Sequence, residues 1–376
     1  MKSTHALAIA CFAVSTSSLG CETSAPLGRS GAPENYTVHK VDFTKTARPG
    51  AAAGPDDSTN LIGQGQVHTL LEANENVSQI VTMALTDNYL YFAASWDGVY
   101  RLPKYGGPVE VVEAGAKHDG RVLMATKDSV IWVKTHDDGS DHPITEIKRR
   151  SENGGPTSVL FAGDWGIATT NLAPALQGDA TGVYMMAFPI GIFMPHLHHF
   201  PAAGGPPRKI LTVPEFWLTW LRDDGRIYLA SKTELPHETA IEVLDDGAAE
   251  PRTLAVLGEQ TLLRSMDRDF LYGVTLDGIV RVAKKDGVAS EVLKLEGGRH
   301  LADVLISDEE KLYFTTVSRD EPADLRSFSK RDGTITVLAS GRTFEGPWQI
   351  AQDSRLIYLL HDRGRKIAVV AKTPAL

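Results

Sequence analysis

DNYLYFAASWDGVYRLPKYGGPVEVV, residues 87–112, decides the fold. It opens on a polar turn at Asp87-Asn88 and enters an apolar, aromatic run around Leu90-Tyr91. It breaks before Asp97, resumes as GVYRLP (98–103), turns at Gly106-Gly107 and ends on VEVV. An apolar stretch, IVTMAL (80–85), precedes it. Short β-prone runs separated by polar and glycine turns describe an antiparallel meander. The pair at its centre, an aliphatic residue followed by Tyr or Trp, recurs seven times: Leu90-Tyr91, Ile131-Trp132, Val183-Tyr184, Ile227-Tyr228, Leu271-Tyr272, Leu312-Tyr313 and Ile357-Tyr358. The aromatics are 41 to 52 residues apart, close to the length of a four-stranded propeller blade.

The surroundings repeat as well. An acidic or polar turn precedes most copies, as at Asp267-Arg268-Asp269 and Asp308-Glu309-Glu310. A third stretch and a glycine turn follow, as in GIVRVAK (278–284) before Gly287, then a closing stretch such as ITVLASG (335–341). The expected architecture is all-β: a seven-bladed β-propeller. Each small sheet has two apolar faces, and only a neighbour on both sides buries them. The seventh unit, residues 346–373, has material for three strands, while QGQVHTLLEA (64–73) reads as a fourth without a blade of its own. The last blade is therefore expected to be closed by an N-terminal strand, with residues 61–376 forming one domain.

Residues 1–20 read as an export signal: Lys2, the apolar run Ala6–Val14, then polar Ser15–Ser18. Leu19-Gly20-Cys21 resembles the lipobox of bacterial lipoproteins, although residues 18 and 19 are Ser and Leu where that family prefers Leu and a small residue. The resemblance implies lipidation at Cys21 and, with Glu22 following, an outer-membrane address. Cys11 and Cys21 are the two cysteines of the chain. A disulfide framework, a Cys-ligated zinc site and a thiol nucleophile in the body are thereby excluded. Residues 21–60, rich in Ala, Gly, Pro, Ser and Thr, read as a tether. The net charge of −9 argues against a nucleic-acid partner, which would require a basic face.

The 87–112 stretch resembles the YWTD-like and related bacterial propeller repeats, which place an aromatic strand after an Asp-containing turn. That resemblance implies an architecture shared by binding modules, envelope scaffolds, lactonases and streptogramin lyases, and fold does not choose among them. In a propeller, the inter-blade loops and the loops joining second to third strands share one rim of the channel. Candidate ligand-binding residues there are Trp96, His118, Asp119, His136, Trp165, Trp217, Arg299, His300 and Trp348. Aromatics with His and carboxylates on one face suit a glycan, a peptide or a metal. His196-x-His198 places two imidazoles on one strand face, the geometry of a metal pair. His198 and His199 also fall on ordinary third-strand positions, and this structural reading is preferred. The apolar loop PIGIFMP (189–195) lengthens the third unit. No nucleophile elbow, H-E-x-x-H, Walker loop or dinucleotide fingerprint is present. No cofactor or metal is expected. The expected function is binding or scaffolding of an extracytoplasmic protein, peptide or glycan by a monomeric envelope protein. The alternative is a metal-assisted hydrolase or lyase at the channel mouth.

Overall fold

The computed structural model describes residues 36–39, 41–42, 60–61, 67–74, 79–94, 97–114, 123–126, 128–136, 144–167, 176–189, 196–212, 217–223, 225–235, 237–296, 299–318, 323–341 and 349–372. All lie in one compact unit, Gly31–Leu376. The signal segment, Cys21 and most of the 21–60 stretch fall outside the described residues. Among the described residues there is no helix, and so none long and apolar enough to cross a membrane.

Seven antiparallel sheets form a ring whose first strands neighbour one another from blade to blade. Blade 1 runs Ile80–Leu85, Tyr89–Ala94, Gly98–Pro103 and Glu110–Ala114. Blade 2 runs Leu123–Ala125, Ser129–His136, Ile144–Ser151 and Ser158–Gly163. Blade 3 has a divided first strand, Trp165–Ile167 and Leu176–Asp179, both pairing with Gly182–Pro189, followed by His196–Pro201 and Arg208–Thr212. The first strands of blades 4, 5 and 6 are Trp217–Asp223, Leu262–Met266 and His300–Ser307. Blade 7 is Gln349–Gln352, Leu356–His361 and Lys366–Ala371, completed by His68–Ala73 as expected. A further strand, Tyr36–Val38, lies within the stretch read as tether and pairs with the closing strand. Its Tyr36 ring lies edge-on to Phe92 at 5.0 Å and tilted against Tyr100 of blade 1 at 5.2 Å, sealing the join of the ring.

The signature aromatics sit on second strands and are buried. Tyr91, Tyr184, Tyr228, Tyr272, Tyr313 and Tyr358 each face the following blade. Each such burial stabilises the ring by roughly 2–3 kcal/mol. Blade 2 departs from the expectation. Trp132 packs backward onto blade 1 beside Tyr91, and Ile131 takes the forward-facing position. Alternation along a strand means that a one-residue offset puts a side chain on the opposite face. The seven blades also share a feature the sequence does not advertise. Register slips between the third and fourth strands at the same place in each: after Val99, Ile147, Leu197, Ile241, Ile279, Leu325 and Ile367. Such bulges strengthen the local twist that lets flat meanders pack as a propeller.

Candidate functional site

The rim that carries the sequence candidates is partly described. Trp96, His118, Asp119 and Trp348 lie outside the described residues, and the side chains of His136 and Trp217 do as well. His136 ends the second strand of blade 2, and Trp217 begins the first strand of blade 4. Arg299 shows that the two kinds of loop do meet. Its Nη1 donates to Asp324 Oδ2 at 2.9 Å and to Thr316 Oγ1 at 3.1 Å. Asp324 also receives Arg326 Nη2 at 2.7 Å. Burial opposes ionisation of Asp324, but its hydrogen bonds with Ser340 and Arg326 and the two guanidinium charges hold the carboxyl below the usual range. His300 beside them is exposed.

Trp165 is half-buried. Its ring meets His198 edge-on at 4.5 Å and Phe161 at 5.4 Å. His198 is 4% exposed, with neither ring nitrogen hydrogen-bonded among the described residues. Burial, with His196 and Lys209 nearby, pushes its pKa down to about 4. His196 lies 5.9 Å away on the same face, while His199 turns to the other side and stacks on Tyr184. Among the described residues no three His, Cys, Asp or Glu side chains converge as a metal site. His198 and His199 pack their rings against Trp165 and Tyr184 respectively.

The opposite face, built from the turns joining first to second and third to fourth strands, holds a more regular device. In every blade, the residue just after the third strand donates its main-chain N–H to a carbonyl of that blade's first turn. These seven equivalent residues are Lys104, Glu152, Ala202, Asp246, Lys284, Lys330 and Lys372. The lysines cross to the preceding blade, where an aspartate stands five residues before the signature tyrosine. Lys330 Nζ donates to Asp267 Oδ2 at 2.6 Å and to the Asp308 carbonyl at 2.5 Å. Asp267 also accepts the N–H groups of Asp269 and Phe270 and the Tyr272 hydroxyl. Lys372 meets Asp308 at 2.9 Å, Lys104 meets Asp353 at 3.4 Å, and Lys284 meets Asp223. Burial works against Asp267 and Asp308, yet their lysine, tyrosine and backbone donors hold both below the usual carboxylate range.

Three joins depart from this latch. Between blades 3 and 4 the position holds Asp246, and Arg222 supplies the cation instead. Its Nε reaches Asp179 at 2.6 Å and its Nη1 reaches Asp246 at 3.3 Å, with the guanidinium 3.8 Å over the Tyr184 ring. Between blades 2 and 3 the aspartate is replaced by Thr126, the tyrosine by Ile131 and the lysine by Ala202. Between blades 1 and 2 the aspartate is replaced by Thr86 and the lysine by Glu152. A cleft of about 960 Å³ opens where these small and oppositely charged residues stand. Ile131, Leu160, Val183 and Ala202 contribute apolar wall, while Asp87, Asp128, Glu152 and Asp179 outnumber Arg149 in charge. The sequence reading had placed no site here. The signal was present as a break in a repeat: Thr, Ile and Ala where other units carry Asp, Tyr and Lys.

No protein-family model matches the sequence, and no curated protein matches it. Among solved structures, the chain is similar to a catalytically inactive virginiamycin B lyase from Staphylococcus aureus with quinupristin. That likeness has 11% identity and a TM-score of 0.53, covering 82% of this chain and 99% of the other. It is also similar to the β-propeller domain of the Trilobed protease from Pyrococcus furiosus, with 10% identity, a TM-score of 0.54 and coverage of 79% and 96%. BamB from Moraxella catarrhalis is similar at 15% identity and a TM-score of 0.45, with coverage of 82% and 90%. In all, 636 solved chains match, so the likeness defines an architecture, the seven-bladed propeller, and leaves the activity open.

Proposed function

We propose that this chain is an envelope protein, held to the outer membrane by a lipid on Cys21, that binds or scaffolds an extracytoplasmic protein, peptide or glycan. The observation that carries the reading is the cleft across blades 1–3, a ligand-sized hollow with apolar walls and a few fixed polar groups, the usual make-up of a binding site. It interrupts an otherwise repeated contact, so its shape follows from local substitutions and not from loose packing. Rim residues Trp96, His118, Asp119, His136, Trp165, Trp217, Arg299, His300 and Trp348 remain candidates for a second contact surface on the opposite face.

The test is binding by the purified full chain to an array of short peptides and to cell-wall glycans, alongside elemental analysis. Saturable binding of one class, without turnover, supports the reading. A stoichiometric metal together with hydrolysis or elimination of a lactone substrate overturns it in favour of the enzyme alternative. Mass spectrometry of the mature N-terminus tests the anchor, and an unmodified residue other than Cys21 there refutes it.

A further inference from the structure

The ring uses a cation at five of the seven joins of its latch face, and at one of the other two an acid stands without it. Glu152 stands where blades 1, 5, 6 and 7 carry Lys104, Lys284, Lys330 and Lys372. It is 5% exposed, and its Oε1 accepts the Asn88 amide. Its Oε2 is buried with no hydrogen-bond partner among the described residues, and Glu152 is among the residues that line the cleft. A buried carboxylate oxygen left without a donor is costly, so such atoms mark places where a donor belongs. Arg101 is close, but its Nη1 goes to the Glu152 carbonyl oxygen at 2.6 Å and its Nε and Nη2 go to Glu110. Arg149 donates from Nε to Ser129 and faces Asp128 at 3.9 Å.

The chain contains its own precedent. At the join of blades 3 and 4, where an acid also replaces the lysine, Arg222 enters from the first strand and meets both carboxylates. At Glu152 no described residue of the chain plays that part. The wall beside it, Ile131, Leu160, Val183 and Ala202, suits methylene groups. A carboxylate beside an apolar wall matches a side chain with a hydrocarbon stem and a charged head.

We propose that the cleft across blades 1–3 binds a primary alkylammonium group, supplied by a lysine side chain of a partner or by a free diamine, with Glu152 receiving the charge. The proposal rests on the binding reading above and names the chemistry of its ligand. Asn88 holds one oxygen of Glu152 in place, which leaves the other to accept the ammonium. Ala202, where blade 1 has Lys104, leaves room for the stem.

The experiment titrates the full chain with Nα-acetyl-lysine amide, its uncharged isostere Nα-acetyl-norleucine amide, and 1,5-diaminopentane. Methyl resonances of Ile131, Leu160 and Val183 report occupancy. The lysine derivative and the diamine should shift these resonances, and norleucine should bind at least about tenfold more weakly. Glu152→Gln should weaken the ammonium ligands by a similar factor. Ala202→Lys, which places a tethered ammonium in the cleft, should abolish their binding while the melting temperature holds or rises. Tighter binding of the lysine derivative points to a protein partner, and tighter binding of the diamine to a free amine. Equal binding of norleucine, or indifference to Glu152→Gln, overturns the proposal and leaves the cleft as an apolar binding site. If none of the three probes moves the cleft resonances, the proposal also falls. If, in addition, Ala202→Lys leaves peptide or glycan binding on the arrays unchanged, the cleft no longer supports the binding reading.

Discussion

Lys330→Met tests whether the latch holds the ring together. Lys330 and Asp267 have side chains 14% and 18% exposed, so water screens the pair weakly. The substitution keeps most of the stem volume and removes two charged hydrogen bonds, to Asp267 Oδ2 and to the Asp308 carbonyl, as well as an ammonium 4.8 Å from the Tyr272 ring. Charge-assisted hydrogen bonds are worth about 1.5–3 kcal/mol each. Stripping a partner from a fully buried pair costs about 3–5 kcal/mol. Asp267 keeps the Asp269 and Phe270 N–H groups and the Tyr272 hydroxyl, so it is not left bare. The expected cost is therefore about 2–3 kcal/mol, between the surface and buried limits. Asp267→Asn should cost a similar amount, and the double variant clearly less than the two together. Urea unfolding followed by tryptophan fluorescence and circular dichroism, run as a double-mutant cycle at pH 7, measures the coupling. A loss below about 0.5 kcal/mol for Lys330→Met, or additivity within that margin, would refute the idea that these contacts tie blade to blade.

Other predictions follow from single features. Because the His198 pKa falls from its ordinary 6.5 to about 4 on folding, the unfolded chain binds the extra proton between those values. Stability should drop as pH falls through that window, by up to about 3 kcal/mol, and His198→Leu should flatten the dependence of the urea midpoint on pH. Tyr36→Ala should cost about 3 kcal/mol through lost packing on Phe92 and Tyr100, whereas a midpoint equal to wild type would mean the outer strand contributes nothing. Gly287 and Gly247 occupy matching turns at φ 74° and 82°. A Cβ at Gly287 would sit 1.9 Å from the Leu254 carbonyl oxygen, while one at Gly247 meets open space. Gly287→Ala should thus lower the melting temperature clearly more than Gly247→Ala, the difference measuring how closely blade 5 seats on blade 4.

The architecture was legible because a propeller repeats its physics. Burying both faces of each sheet demands a large side chain at one second-strand position, and the chain places tyrosine there six times. Blade 2 misled the reading. Ile131-Trp132 has the right look, but counting from the turn at Thr126 puts Ile131, not Trp132, at the tyrosine's station. The latch was half legible: the aspartates of the turns were noticed, whereas their lysines stand a whole blade away in sequence. Lys330 and Asp267, for example, are brought together only when blade 6 packs on blade 5. Trp165 illustrates why site residues resist such reading. A tryptophan before an inter-blade loop looks available for a ligand, but its exposure depends on neighbours such as Phe161 and His198, which come from other strands. The cleft was hidden for the opposite reason, since it arises from residues too ordinary to attract notice.

The closing strand has a consequence for how the molecule comes into being. Synthesis proceeds from the N-terminus, so His68–Ala73 emerges before any blade it belongs to, and its partner Lys366–Ala371 emerges last. Until then the strand has one neighbour at most, Tyr36–Val38, and blade 1 presents an uncovered apolar face. Contacts of such long sequence separation form slowly, because the loop between them must close first. The pairing of His68–Ala73 with Lys366–Ala371 therefore cannot form, and the ring cannot close, until all seven blades have been made.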